Sequence, residues 1–261
     1  MSTLDYNALV STAISAVLAG ARVAEATSAQ HVVNHKGSLR DIVTQADLDI
    51  STLLTHRLQA TQIPVVSEEH AQADEATTDR LWAVDPIDGT VNFFHCLPHY
   101  GICAGLVDRG QFLLGAVCAP ALDELYFTLT PERALLNGRP LQHAHKETGE
   151  TLAAASFSAK NSASQYMLFQ AVNESTQGCL RTGSAALNIC WAASGRLQLA
   201  YGFGARIWDV AAALAIARAA GCSVSLRHSP NATTLDYCVG SRAAVDHLIT
   251  LARTHQLWSA A

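Results

Sequence analysis

The sequence predicts a layered α/β or α+β sandwich, and three observations carry that expectation. Hydrophobic residues make up 49% of the 261, enough for a sizeable core. Short apolar runs bounded by turn residues crowd residues 100–127, whereas the second half alternates short strands with helical, Ala-rich stretches. No repeat, low-complexity tract or linker separates the halves. They therefore read as layers of one domain, 1–261, with a soft boundary near residue 145 between an α+β lobe (1–145) and an α/β lobe (146–261).

The elements follow in order. Residues 4–28 carry Ala, Leu, Val and Ile at helical spacing with Gly20 as the only breaker, which predicts a long first helix. Residues 31–39 are polar and contain Gly37 and Ser38, a loop, and 41–59 return to a helical pattern. Residues 63–67 form a short apolar strand leading into Glu68-Glu69. Residues 81–84 form another, which stops at Asp85-Pro86. GICAGLV, QFLLGAVC and ELYF supply three further strands, with Asp108-Arg109-Gly110 as a hairpin turn and Asn137-Gly138 as a second turn signal. Beyond these, 153–158 and 197–201 read as strands and 164–172 and 183–194 as helices. Residues 210–220 read as an Ala-rich helix closed by Gly221. Trp191 and Trp208 fall on core-facing positions.

Composition narrows the function. Lys plus Arg is 17 and Asp plus Glu 22, a formal charge of −5 with no basic run, which argues against general nucleic-acid binding. Charged residues are only 15%, against a usual share of about 25%. Part of the surface is therefore expected to be buried between subunits. The seven cysteines form no CxxC pair and read as free thiols of a reducing cytosol. The start, MSTLDYNALV, lacks a basic segment followed by an apolar one, and the apolar run 210–217 stops at Arg218. That run is far short of the roughly 20 residues a membrane span needs. A cytoplasmic protein without a membrane partner is expected.

The chemistry concentrates in WAVDPIDGTVNF, residues 82–93. An apolar strand delivers Asp85 at its end, Pro86 fixes the turn, and Asp88 follows three residues later. Two carboxylates so close repel unless a cation holds them, and hard oxygen donors favour Mg²⁺, Mn²⁺ or Ca²⁺. Gly89 lets a ligand approach the backbone, and Thr90 can cap a helix whose exposed N–H groups favour phosphate. The same Asp and Gly also serve as ordinary turn residues, so the segment by itself leaves both readings open. Glu68-Glu69 reads equally as a solvated acidic turn, Asp47 as a surface residue three beyond Thr44, and Asp209 in Trp208-Asp209-Val210 as a helix-dipole partner.

Taken together, WAVDPIDGTVNF, VVSEEH, DIVTQAD, GSAALN and WDVAA resemble, in order, the motifs of the inositol monophosphatase family across residues 4–245. The resemblance implies the sugar-phosphatase fold shared with fructose-1,6-bisphosphatase, a homodimer, and Mg²⁺-dependent, lithium-sensitive hydrolysis of a small phosphorylated metabolite. It implies that Glu68, Asp85 and the Ile87 carbonyl hold one Mg²⁺, that Asp85, Asp88 and Asp209 hold a second, and that Glu68 reaches a weaker third ion through water. By the same resemblance Asp47 and Thr90 activate the attacking water, with Glu68 beside them. The N–H groups of Gly89 and Thr90 cradle the phosphate, and Asp88, Gly183, Ser184, Ala185 and Arg206 meet the substrate. Lys36 would lie near the site, and Asp41 would support structure.

The substrate side departs from the pattern. Members that prefer inositol phosphate carry a Glu at the position that counts back here to Gly202. Losing that acceptor costs on the order of 1–3 kcal/mol, so inositol monophosphate is in question as a substrate. An FG shortly before WD is similar to the branch that hydrolyses 3′-phosphoadenosine 5′-phosphate, whereas DGTVNF is closer to the inositol branch. Arg206 reads as a contact for a second anionic group or as a surface residue. A small polyol or sugar-type phosphate is the expected substrate; the alternatives are the nucleotidase and a regulatory, binding member of the family. None of the eleven histidines shows HExxH spacing, and His95 and His99 read as structural.

Overall fold

The computed structural model describes residues 5–27, 32–35, 42–70, 79–143, 150–157, 163–228 and 234–258. Lys36 and Asp41 lie outside them. In chain order the elements are α1 (Tyr6–Ala26), β1 (Val32–His35), β2 (Ile42–Thr44), α2 (Gln45–Gln59), β3 (Val65–Ser67), β4 (Arg80–Asp88) and α3 (Thr90–Phe94). Next come β5 (Gly101–Asp108), β6 (Gln111–Ala119), β7 (Glu124–Thr130), β8 (Arg133–Leu136), β9 (Arg139–Pro140) and β10 (Leu152–Phe157). The rest are α4 (Ala163–Ser175), β11 (Gly178–Leu180), α5 (Ala185–Ala193), β12 (Leu199–Ala205), α6 (Ile207–Ala219), β13 (Ser223–His228), β14 (Leu235–Gly240) and α7 (Arg242–Thr254).

Five layers result. A seven-stranded sheet, β3-β4-β5-β6-β7-β8-β9, is antiparallel apart from the β3–β4 pair. A five-stranded sheet, β11-β10-β12-β14-β13, is parallel on one side of β12 and antiparallel on the other. α1 and α2 cover the outer face of the large sheet, where Leu9, Val17, Ile50, Leu54, Trp82 and Ile102 form one core. α5 and α6 lie between the sheets, in a second core that includes Leu187, Ile189, Leu214 and Tyr237. α4 and α7 close the small sheet from outside over Leu168, Tyr201, Phe203 and Leu248. α1 is long and apolar enough to cross a membrane by length and composition alone. Its buried face, from Leu9 to Ala24, packs in the first core.

Several elements differ from the sequence expectation, each for a local reason. The helix expected over 41–59 begins at Gln45, because Ile42-Val43-Thr44 pairs with β1 and the β-branched run suits a strand. The strand expected to stop at Val84 runs on to Asp88, through an irregularity between Asp85 and Asp88 that absorbs Pro86. The strand expected over 197–201 is shifted to Leu199–Ala205, because Gln198 caps the start of β10, accepting from the Leu152 N–H through Oε1. Trp191 and Trp208 are only half-buried and lie beneath the guanidinium groups of Arg196 and Arg206.

α6 sits unusually close to the large sheet because Gly105 and Gly115 face it without side chains. A Cβ at Gly115 would fall 1.9 Å from the Ala212 carbonyl oxygen. Gly115→Ala is therefore expected to cost about 3 kcal/mol or more in a denaturant titration, since helix and sheet must separate. An unchanged midpoint would mean that α6 is free to move.

Candidate active site

The fold gathers the acidic residues where strand ends and helix starts meet. β4 carries Asp85 and Asp88 at its C-terminal end, paired with Cys103 and Gly101 of β5. The Ile87 N–H folds back to donate to Asp85 Oδ1 at 3.0 Å. β3 runs parallel beside β4, and the Glu68 N–H donates to the Val84 carbonyl at 3.1 Å, placing Glu68 next to Asp85. Asp47 is the third residue of α2. Its Oδ2 accepts from the Thr44 N–H at 2.8 Å and the Thr44 hydroxyl at 2.5 Å, a capping box that holds the carboxylate still. Thr90 Oγ1 lies 3.1 Å from Asp47 Oδ1 and 3.0 Å from the Ile87 carbonyl, so its one proton is shared between them.

The other two carboxylates sit at the starts of the central helices. Asp88 is seated on α5: its Oδ2 accepts from the Ser184 hydroxyl and, at 2.8 Å, from the Ala186 N–H, while Oδ1 accepts from the Ala185 N–H at 3.2 Å. Gly183 lets this turn close against Asn92, whose amide would lie 2.8 Å from any Cβ there. Asp209 is the third residue of α6 and accepts from the Arg206 N–H at 2.8 Å. The Arg206 side chain is exposed. Gly89, with φ of +100°, turns the chain from β4 into α3 through the left-handed region that favours glycine.

Electrostatics tie these groups together. Burial pushes Asp47 up to about 6, against the opposing bonds from Thr44 and Thr90. Burial likewise pushes Asp88 up to about 6, against those from Ser184 and the α5 N–H groups. Asp85 rises well above the usual carboxylate range through burial and then the charges of Glu68, Asp88, Asp209 and Asp47. Asp209 rises through burial and the charges of Glu68 and Asp88, offset in part by Arg206. Among the described residues no three acidic, His or Cys side chains close into a ready cation cage. Asp47, Asp85, Asp88 and Asp209 bond instead to local N–H or hydroxyl donors. The donor set is nonetheless all oxygen, crowded and insufficiently compensated, which fits hard divalent cations and not zinc.

The sign of the pH dependence follows. Carboxylates with raised pKa values bind more protons folded than unfolded. The contribution of Asp47 and Asp88 to the stability of the cation-free protein is therefore fully present below about pH 4 and is lost as pH rises through about 6. The Asp47 shift from 3.8 to about 6 corresponds to about 3 kcal/mol. Thermal unfolding in a chelator is expected to show a midpoint that drops between pH 4.5 and about 7; a midpoint that rises over that window would contradict these shifts.

Three supports have no signal in the sequence. The Asn92 amide donates to the His99 carbonyl at 2.7 Å and the Thr182 carbonyl at 2.8 Å, pinning α3 to the loop before α5. Asn188 accepts from the Thr182 hydroxyl and donates to Ser156. Ser51, Ser67 and His70 form a chain behind Glu68, with Oγ–Oγ at 2.6 Å and Oγ–Nδ1 at 2.9 Å. His99 packs edge-on to Trp191 at 4.5 Å. The cysteines are free, and burial holds the Cys103 and Cys190 thiols far from the thiolate form.

The family model described as "Inositol monophosphatase family" matches residues 5–257. An inositol-1-monophosphatase of Synechocystis is 31% identical over 231 residues, covering 86% of this chain and 80% of that protein. The Nus factor SuhB of Escherichia coli is 33% identical over 200 residues, 74% of each chain. The solved structure of Mycobacterium tuberculosis SuhB superposes with a TM-score of 0.80 at 28% identity, covering 98% of this chain and all of that one (100%). The chain therefore belongs to the inositol monophosphatase family of phosphoric monoester hydrolases.

Proposed function

We propose that the protein is a Mg²⁺-dependent phosphomonoesterase that hydrolyses a small polyol or sugar-type metabolite phosphate by direct attack of water. The observation that carries this is the juxtaposition of a fixed Asp47–Thr90 pair with four further acidic groups that repel one another. Glu68, Asp85 and the Ile87 carbonyl would hold one cation and Asp85, Asp88 and Asp209 a second, with Glu68 reaching a third through water. Divalent cations supply Lewis acidity toward water and toward the charge on the phosphate. Asp47, oriented by Thr44, accepts the proton of the attacking water through or beside the Thr90 hydroxyl. The Gly89 and Thr90 N–H groups face the phosphoryl oxygens. Once Asp88 turns from α5 toward a cation, Ser184 and the Ala185 N–H become free to meet the alcohol half, and Arg206 lies at its rim. Both sheets act as one catalytic unit, with the lobe boundary near residue 145, in a cytoplasmic homodimer.

The experiment is phosphate release from a panel, with and without Mg²⁺. The panel holds inositol 1-phosphate, sugar and sugar-alcohol phosphates, histidinol phosphate, 3′-phosphoadenosine 5′-phosphate and NADP. Mg²⁺-dependent release that is greatest from a sugar-type phosphate supports the reading; release greatest from phosphoadenosine phosphate would replace it with the nucleotidase. The relative named as a Nus factor favours a second reading, a regulatory role carried by the surface. A cation-ligand variant that still captured a transcription factor, beside a wild type that released no phosphate, would establish that reading instead.

A further inference from the structure

Ser51 lies one helical turn beyond Asp47 on α2, on the same face, and both side chains are buried. Its hydroxyl meets Ser67 Oγ at 2.6 Å and His70 Nδ1 at 2.9 Å. Ser67 ends β3 and directly precedes Glu68, and the His70 N–H donates back to the Ser67 carbonyl at 3.0 Å. The turn at 67–70, which carries Glu68 and Glu69, is thus tied to the helix of Asp47 through one hydroxyl. The protons balance in either His70 tautomer. With Nδ1 as acceptor, Ser51 donates to the ring and accepts from Ser67; with Nδ1 as donor, Ser51 accepts from the ring and donates to Ser67.

This tie opposes a repulsion. The Glu69 charge adds to the rise of Asp47, and the Glu68 and Asp47 charges both add to that of Asp85, so the turn and the start of α2 face one another with like charge. On one side the turn is fixed to β4 by backbone, through the Glu68 N–H and the Val84 carbonyl. On the other side Ser51 supplies the bond to α2. A turn released from that bond moves away from the like charges until a cation draws it back, and the affinity for the cation falls by the free energy of that return.

We propose that Ser51 is a positioning residue: through Ser67 and His70 it holds the Glu68 turn against α2 before cations arrive, so that Glu68 already stands at its ligating place when they do. This deepens the phosphatase reading and rests on it. The quantity Ser51 sets is the affinity for Mg²⁺, and it does so without touching cation or substrate.

The test uses the full chain as wild type, Ser51→Ala, Ser67→Ala, the double variant and His70→Ala, with Ile50→Val as a control that loosens the packing of the same helix. Titration calorimetry with Mg²⁺ alone, without substrate and at one fixed pH, is expected to show binding about tenfold weaker in Ser51→Ala. Ser67→Ala should show part of that loss, and the double variant no more than Ser51→Ala, because the same bond is removed twice. His70 is exposed, so His70→Ala leaves the core intact, and it should weaken binding about threefold. Ile50→Val should lower the thermal midpoint and leave the Mg²⁺ affinity in place. In a chelator, hydrogen exchange at the Glu68 and His70 N–H groups should quicken about tenfold in Ser51→Ala relative to that at Ile87. An unchanged Mg²⁺ affinity in Ser51→Ala, or a loss that Ile50→Val shares, would overturn the role. Failure of the underlying reading looks different: a folded wild type that itself binds no Mg²⁺ and releases no phosphate from any member of the panel.

Discussion

Asp85→Asn is expected to lose hydrolysis by about a thousandfold or more and, at the same time, to make the cation-free protein more stable. The two effects have one cause. Asp85 is 2% exposed and surrounded by Glu68, Asp88, Asp209 and Asp47, so its charge is the most opposed in the cluster. It is also the carboxylate that both proposed cation sites share. Asn keeps the shape and can still accept from the Ile87 N–H, but removes the charge that draws cations in. Cation catalysis supplies several kcal/mol of barrier lowering, which converts to the stated factor. Without cations the variant no longer buries a repelled carboxylate, so its thermal midpoint at pH 7 should exceed that of wild type. Activity assays and thermal unfolding in a chelator check the pair. A variant that is both inactive and less stable would indicate a structural role for Asp85 instead.

Asp47→Asn is expected to lower kcat by about a hundredfold to ten-thousandfold, the usual share of a general base, while leaving the Mg²⁺ concentration for half-activation nearly unchanged. That combination separates it from Asp85→Asn, which should raise the Mg²⁺ requirement. The reasoning is geometric. Asp47 belongs to the start of α2, its Oδ2 is occupied by both Thr44 donors, and its Oδ1 faces Thr90. Asp47 accepts a proton only when ionised. With its pKa up to about 6 before cations enter, and lower once they do, activity should fall on the acid side at or below about pH 6. Asn should remove that limb. A limb that persists unchanged in the variant would assign the proton transfer to another group.

The parts of this site that were legible in the sequence are those whose logic is local. Asp85-Pro86-Ile87-Asp88-Gly89-Thr90 combines a strand end, a turn and a helix start within six residues, and Thr44 and Asp47 have capping-box spacing. The link from Asp47 to Thr90 spans 43 residues, and that from Asp88 to Ser184 spans 96, so only family resemblance pointed to their meeting. Asn92, Asn188 and Tyr237 carried no signal, because each matters through a partner on another element. Gly202 stood out as a missing carboxylate, but the reason it cannot be anything larger is a ring 35 positions on in the chain, brought opposite by β12–β14 pairing. Layering was legible from the two halves' different patterns. β2 was not, since three β-branched or apolar residues directly before a helix blend into its periodicity. The stretch holding β13, β14 and α7 gave no expectation at all, and β13 is half-exposed along most of its length, which blurs any alternation.

The central claim is that Glu68, Asp85, Asp88 and Asp209 form a cation site beside Asp47, and that Asp85, Asp88 and Asp209 hold protons until cations arrive. Isothermal titration of Mg²⁺ into wild type at pH 6, repeated in two buffers of different ionisation enthalpy, tests it most directly. The account predicts saturable binding that releases protons to the buffer, because Asp88, at about 6, and Asp85 and Asp209, raised well above the usual carboxylate range, must ionise to take the metal. Asp85→Asn should abolish both signals. Binding with no proton release, or no binding in a folded wild type, would contradict it.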